Sequence, residues 1–171
     1  METGIFTYRH AGTFDWERLY REGKQYFKDA LGKPEFTESK YKTKSDEIEG
    51  VWKIGQNYDA YHRFQFEVEF KVIDVKQVVV DGKPMMEGKA RWWISGELVE
   101  NFEDKNPAGK REIFQDMKDP KTGKDKPSWL HKAYKRVTFK DRDEVLEGFP
   151  FGIIDGYIAL LKRICGAAVA Q

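Results

Sequence analysis

The chain has 171 residues, of which 40% are hydrophobic and 35% are charged, a balance typical of a folded globular domain. Thirty Lys and Arg oppose 29 Asp and Glu, so the formal net charge is +1, without the basic excess that nucleic-acid binders usually carry. The single cysteine, Cys165, excludes an intramolecular disulfide and a Cys-rich zinc site.

The length favours one domain over residues 1–171. The first residues lack the basic and apolar regions of a signal peptide. The most apolar stretch, Phe149 to Ala170, is interrupted by three charged residues, which a membrane-spanning helix rarely tolerates. We therefore expect a cytoplasmic protein without a transmembrane segment.

The first predicted elements are a strand and a helix. Gly4 to Ala11 contains the β-branched and aromatic residues of a short strand. Asp15 suits the N-cap of a helix that begins at Trp16, and Gly32 followed by Pro34 suits its end. Between these signals, apolar residues recur at helical spacing on one face, which predicts an early helix after strand 1.

The next segments indicate an antiparallel sheet. Glu35 to Thr43 and Glu47 to Ile54 are predicted strands, and Gly50 on the inner face of the second indicates a bulge or a close approach. From His62 to Val72, His, Phe and Val at even positions alternate with charged and polar residues at odd positions. One face of this strand is therefore buried and the other is wet, and its register is strongly fixed.

Short connections link the later strands. Val75 to Val80 continues the sheet, and Asp81-Gly82 predicts a two-residue hairpin turn. Lys89 to Glu100 then returns, with Trp93 on its outer face. Because strand follows strand through short turns, the sequence predicts a twisted antiparallel meander of about six to seven strands.

The last third of the chain changes character. Residues 103–127 are rich in Lys, Asp, Gly and Pro, and predict a charged surface excursion. Apolar residues from Ile153 to Ala168 keep helical spacing, which predicts a long C-terminal helix over residues 150–170. The predicted fold class is α+β, with the meander sheet gripping that helix.

Candidate catalytic and metal-binding residues are few. None of the histidines, His10, His62 and His131, has a second ligand at a spacing that recurs in metal sites. Cys165 has no base close in sequence that would lower its pKa, so a buried, inert thiol is expected. We therefore expect neither a metal nor a cofactor, and no catalytic residue is assigned.

The aromatic residues on the inner face have two interpretations. They can form an ordinary core, or they can line a pocket for an apolar ligand, with Tyr58 or His62 orienting the ligand at its mouth. The candidate ligand-binding residues are Trp52, Tyr58, His62, Phe64, Phe66, Phe70, Trp92 and Tyr157. On the outer face, Arg91 and Trp93 are instead candidates for an interaction patch, since both residue types are enriched at interfaces.

The order of elements is accompanied by a few local features: Trp52 on one strand, the strand from Tyr61 to Val72, and the Asp81-Gly82-Lys83 hairpin. Together they resemble the helix-grip fold of the Bet v 1 and START-related superfamily, and more narrowly its uncharacterised archaeal members. The resemblance covers residues 4–102 best, and the chain departs from it in having one predicted helix, rather than two, between the first two strands. It implies a domain that holds apolar ligands; some members act as cyclases, hydrolases or chaperone partners.

The first functional hypothesis is a non-catalytic binding domain that encloses a small apolar or amphipathic ligand between the sheet and the C-terminal helix. The alternative is a protein–protein interaction or structural module that docks on a larger assembly. A cyclase- or hydrolase-like enzyme using the same cavity is the third hypothesis. The expected partner is accordingly a small apolar ligand or a protein, and the charge pattern does not indicate nucleic acid.

Overall fold

The computed structural model describes residues 2–59, 62–100, 117–118, 125–126 and 143–167. Within these ranges the chain is an α+β protein with a five-stranded antiparallel sheet and two helices. The elements in chain order are β1 Glu2–Phe14, α1 Trp16–Leu31, β2 Glu35–Thr43, β3 Glu47–Asn57, β4 His62–Val80, β5 Lys83–Glu100, β6 Met117–Lys118, β7 Asp125–Lys126 and α2 Asp143–Ala167. The short strands β6 and β7 pair with each other in a separate two-stranded sheet.

The strand order in the large sheet is β1-β5-β4-β3-β2. Strands β2 to β5 form the predicted antiparallel meander, each paired with the next along the chain. Strand β1 instead pairs with β5, at the opposite edge from β2. Helix α1, which connects β1 to β2, therefore links the two edges of the sheet.

The alternation of β4 is confirmed. No side chain at the even positions from His62 to Val72 is more than 2% exposed. The odd-numbered side chains from Arg63 to Lys71 are exposed or half-buried on the other face. Because β4 pairs with β3 on one side and β5 on the other, its register sets which residues of both neighbours face the core.

The strand count of the main sheet is lower than the predicted six to seven. The two predicted strands His62–Val72 and Val75–Val80 are one continuous strand, interrupted only by a register shift between Ile73 and Lys76. Asp74 takes a φ of 58°, which Asp tolerates better than most residues, so the chain forms a bulge instead of a turn. Beyond it, the predicted hairpin turn is confirmed at Asp81-Gly82, where both residues have positive φ.

Helix α1 has the boundaries that its capping residues predict. The Asp15 carboxylate accepts a hydrogen bond from the Arg18 backbone N–H at 2.9 Å. At the other end, Gly32 takes a φ of 83° and donates its N–H to the carbonyl of Lys28 at 2.8 Å. Leu19, Gly23 and Phe27 form the buried stripe that packs on the sheet.

Helix α2 begins earlier than predicted and continues through Pro150. It packs against α1, β1 and β5. The Tyr26 hydroxyl of α1 donates a hydrogen bond to the carbonyl of Ile153 at 2.9 Å, beside Gly156, where a side chain would collide with the tyrosine. Residues 168–170 of the predicted helix lie outside the described residues, as does most of the predicted excursion over 103–127. Neither of the two helices in the described ranges is long and apolar enough to cross a membrane.

Two glycines on the inner face lie beneath aromatic rings of β4. Gly50 on β3 pairs with Phe70, and Gly96 on β5 pairs with Phe66. A methyl group on Gly96 would come within 2.9 Å of the Phe66 ring and 3.3 Å of Ile154 on α2. The glycines thus let the rings lie across the neighbouring strands, and the close approach predicted at Gly50 is confirmed.

Replacing Gly96 with alanine is expected to lower the free energy of unfolding by about 1–3 kcal/mol, because the new methyl group overpacks the contact with Phe66. Urea denaturation measures the change. The matched control is Gly152→Ala on the exposed face of α2, where a methyl group meets no atom within 4 Å. That control is expected to raise stability by about 0.5–1 kcal/mol through helix propensity. A Gly96→Ala variant as stable as the parent would contradict the packing argument.

Candidate functional site

The residues predicted to bind a ligand are spread along β3, β4, β5 and α2. Most of them belong to one continuous hydrophobic core, in which Phe70 and Trp92 are cross-strand partners: Trp52, Phe64, Phe66, Phe70, Trp92 and Tyr157. Tyr58 and His62 lie where β3 leads into β4. All of them are buried except Tyr58, which is 51% exposed. A ligand in one place could therefore contact only a subset of them.

The centre of the core, around Phe27, is closely packed. The Phe27 ring of α1 lies between Phe66 and Tyr157, with ring centroids 5.9 Å and 5.0 Å away. On the same helix, a methyl group on Gly23 would lie 3.3 Å from both Tyr157 and Trp52. At these points side chains occupy the layer between the sheet and the helices.

A few polar side chains lie within this apolar layer. The Tyr157 hydroxyl is buried and has no hydrogen-bond partner within the described part of the chain. Burial, reinforced by the neighbouring Cys165, raises the Tyr157 pKa above its ordinary value. Burial also raises the pKa of the Cys165 thiol to about 11, although a hydrogen bond with Tyr8 opposes the shift. At neutral pH these groups are uncharged, as an apolar layer requires.

A second polar cluster links α1 to β2. Lys24 Nζ donates hydrogen bonds to the Tyr20 hydroxyl at 2.8 Å and to Glu38 Oε2 at 3.2 Å, and Tyr20 donates to the other oxygen of Glu38. Burial favours the neutral carboxyl, but the hydrogen bonds from Tyr20 and Lys24 hold the pKa of Glu38 below its usual value. Because each of these groups already has a partner, the cluster serves to fasten the helix to the sheet edge.

A cleft opens where the end of α1, the end of β3 and the start of α2 meet. We call it the end cleft; it has a volume of about 240 Å³ and is lined by Ala30, Leu31, Gln56, Asn57, Tyr58, Phe64 and Phe149. Two of the lining residues, Phe64 and Phe149, pack against each other with their ring centroids 4.6 Å apart. The Gln56 Nε2 amide donates a hydrogen bond to the carbonyl of Asn57 at 2.9 Å. Its Oε1 is buried and accepts no hydrogen bond from any residue that the structure describes.

His62 lies beside the end cleft and forms a hydrogen-bonded pair with Asp59. The carboxylate accepts from the His62 backbone N–H at 2.7 Å, and its second oxygen lies 3.0 Å from His62 Nδ1. The His62 carbonyl in turn accepts from the backbone N–H of Tyr58 at 3.0 Å. The pair therefore closes the connection between β3 and β4, and it also holds an imidazole in a fixed orientation.

The predicted interaction patch lies on the other face of the sheet. The Arg91 guanidinium lies 5.4 Å from the centroid of the Trp93 ring. Arg91 is exposed, whereas Trp93 is half-buried. Arg9 on β1 and Lys71 on β4 are the direct cross-strand neighbours of Arg91, so a row of three cations lies next to Trp93.

Sequence patterns do not single out Gln56, Asp59 or Phe149. Gln56 lies beyond the predicted strand, which ends at Ile54, but the structure extends β3 to Asn57 and so places its side chain in the end cleft. Phe149 reaches the cleft because α2 begins at Asp143 rather than at residue 150. Asp59 lies three residues before His62, a spacing that suits a side chain closing a turn and could have indicated the pair.

The chain matches no protein-family model, no curated protein and no solved structure. The resemblance to helix-grip proteins therefore stays a prediction. The end cleft and the outer face of the sheet are the two places whose geometry indicates a function.

Asp59→Ala is expected to lower the free energy of unfolding by about 1–3 kcal/mol, because it removes a charged acceptor from both the backbone and the ring of His62. Asp59→Asn, which keeps an acceptor for the backbone N–H, is expected to lose less. Urea denaturation of the two variants measures both changes. Equal stability of Asp59→Ala and the parent chain would show that the pair does not hold the connection.

The Cys165 thiol is expected to resist alkylation in the folded protein at pH 8, because it is fully buried and its pKa is raised to about 11. Labelling with a maleimide or an aromatic disulfide, followed by mass spectrometry, measures the rate. The same chain unfolded in urea is the control, and we expect it to react about 10³-fold faster or more. Comparable rates in the two states would contradict the burial of the thiol.

Proposed function

We propose that the protein is a binding domain for a small amphipathic ligand, which lies in the end cleft between the sheet and α2. The observation that carries the proposal is a buried hydrogen-bond acceptor beside apolar side chains. Gln56 Oε1 has no donor among the residues that the structure describes, and Leu31, Phe64 and Phe149 line the same cleft.

The amide oxygen of Gln56 defines the polar end of the ligand. Its orientation is set by the hydrogen bond from Nε2 to the carbonyl of Asn57. A buried acceptor without a donor costs about 1–3 kcal/mol. A ligand N–H or O–H recovers that energy when the side chain turns the buried oxygen toward the cleft. The ligand therefore carries at least one hydrogen-bond donor.

The walls of the end cleft define the rest of the ligand. Leu31 and Phe149 offer aliphatic and aromatic surface, while the buried Phe64 ring packs against Phe149. Tyr58 lies at the mouth with half of its surface exposed. The volume of about 240 Å³ is just below the range of about 300–1,000 Å³ that holds drug-sized ligands. A compact molecule with an apolar body and one donor group fits these dimensions.

The resemblance to helix-grip proteins supports the same proposal, since a ligand between the sheet and the last helix is what that resemblance implies. The end cleft narrows the hypothesis to one place, where Phe64 of β4 meets Phe149 of α2. The closely packed centre of the core, around Tyr157, is not required to open.

Catalysis is a second candidate because one observation favours it. Asp59 and His62 form an imidazole–carboxylate pair beside the end cleft, and such pairs serve in general acid–base catalysis. If the protein turns over a substrate, His62→Ala would abolish the turnover, while a binding domain would only lose stability.

The interaction-module hypothesis is based on Arg91 and Trp93. The structure adds a second exposed aromatic surface, formed by Phe149 and Phe151 of α2, each 38% exposed.

Titration with N-phenyl-1-naphthylamine, a fluorescent apolar amine with one N–H donor, tests the proposal. We expect saturable fluorescence enhancement, with about tenfold weaker binding to Gln56→Leu because the acceptor is lost. The same variant is expected to unfold at an equal or higher free energy, since an unpartnered polar group leaves the core.

Gln77→Leu is the matched control, since this glutamine is exposed on β4 beyond the bulge and far along the strand from the end cleft. It is expected to bind the probe as the parent does. The proposal fails if the probe does not bind, or if the two Gln→Leu variants bind it equally well.

A further inference from the structure

Three cations lie side by side on the outer face of the sheet. Arg9 on β1 is the cross-strand partner of Arg91 on β5, and Arg91 is the cross-strand partner of Lys71 on β4. We call these three residues the basic row. Side chains directly opposite each other in antiparallel strands have Cβ atoms about 4.5–5.5 Å apart, and like charges at that distance are destabilising. Such an arrangement needs a compensating negative charge.

The chain compensates only part of this charge. Lys71 Nζ lies 2.5 Å from a carboxylate oxygen of Glu47, and the neighbouring Lys89 Nζ lies 2.7 Å from Asp74. Among the residues that the structure describes, no carboxylate forms an ion pair with Arg9 or Arg91. The guanidinium groups of Arg91, in the middle of the basic row, and of Arg9, on the edge strand β1, can therefore bind an external anion.

The basic row borders a concave space of about 540 Å³, within the range of small-molecule sites. Trp93 and Ile73 supply apolar surface in the same concavity. The Arg91 guanidinium lies over the indole ring of Trp93, with its central carbon 5.4 Å from the ring centroid. The concavity thus offers two anion-binding groups next to a flat aromatic ring.

The charges around the patch limit the size of the anion. Glu69 is the cross-strand partner of Trp93, and Glu67 is the partner of Ser95 one row further along the sheet. A long polyanion crossing the sheet would meet these carboxylates, and the net charge of +1 adds no general attraction. The surroundings favour a small anion over a nucleic-acid strand.

We propose that this outer-face patch binds a nucleoside diphosphate or a closely similar organic phosphate. Its phosphate groups lie on Arg9 and Arg91, since guanidinium groups bind phosphate oxygens in pairs of parallel hydrogen bonds. Its base packs against the Arg91–Trp93 pair, because aromatic side chains and guanidinium planes both stack on nucleobases. The patch is on the opposite face of the sheet from the end cleft and does not rest on the ligand proposed there.

Isothermal titration of the full chain with ADP, adenosine and inorganic pyrophosphate tests the proposal. We expect ADP to bind, pyrophosphate to bind more weakly because it lacks the base, and adenosine to bind least. ADP affinity is expected to fall between about 50 mM and about 300 mM salt, since exposed charges are screened. Binding of adenosine as tight as that of ADP would overturn the role of the basic row.

Arg9→Gln is expected to weaken ADP binding about tenfold or more. Its matched control is Arg21→Gln on the exposed face of α1, which removes the same charge elsewhere and is expected to leave ADP binding unchanged. The proposal would be overturned if both variants bound ADP as tightly as the parent chain, or if both variants weakened ADP binding by the same factor.

A stability measurement separates binding from a structural role. Arg9→Gln relieves the repulsion with Arg91, so its urea midpoint is expected to stay equal or rise while ADP binding falls. A lowered midpoint would overturn the argument that the chain leaves this charge uncompensated. A single-stranded oligonucleotide that binds more tightly than ADP would replace the proposal with a nucleic-acid surface.

Discussion

The register of β4 is the constraint on which the rest of the structure depends. This strand pairs with β3 and β5 at once, and its rings lie across Gly50 and Gly96 of those neighbours. A shift by one residue would place Phe66 and Phe70 in water and bring Glu67 and Glu69 under the helices. The free-energy cost of such a shift fixes the inner and outer faces of three strands together.

Both proposed sites follow from this division into faces. The end cleft uses Phe64 from the inner set of β4, and the basic row uses Lys71 from its outer set. On the inner face the unusual group is Gln56 Oε1, which has no hydrogen-bond donor among the described residues. On the outer face it is the basic row, whose like charges repel one another. Each is a local loss of stability that a ligand of complementary chemistry would recover.

Much of the fold could be predicted because it is encoded locally. The alternation of β4, the Asp15 and Gly32 caps and the Asp81-Gly82 turn each depend on residues close in sequence, and each prediction is confirmed. The bulge at Asp74 was harder to predict, since a left-handed Asp between two apolar runs equally suits a turn. Only the pairing with β5 across that position distinguishes the two.

The candidate sites could be predicted only in part, because they depend on contacts between distant segments. The outward direction of Arg91 follows from the alternation of β5, but its neighbour Arg9 is brought there by the non-sequential pairing of β1 with β5. In the same way, Phe64 is an obvious inner residue, whereas its contact with Phe149 depends on where α2 starts. Periodicity assigns a face to a residue and leaves the residues beside it undetermined.

The pairing of β1 with β5 also has a consequence for the order of events on the ribosome. Phe14 has its partner at Met86, and Glu2 has its partner at Glu97. During synthesis, the first strand therefore stays without its neighbour in the sheet for several seconds, while the meander can assemble as its strands emerge. Strand β1 can pair only once β5 has emerged, and α2, which packs on both strands, follows still later. The basic row is therefore completed only when β1 closes that edge of the sheet.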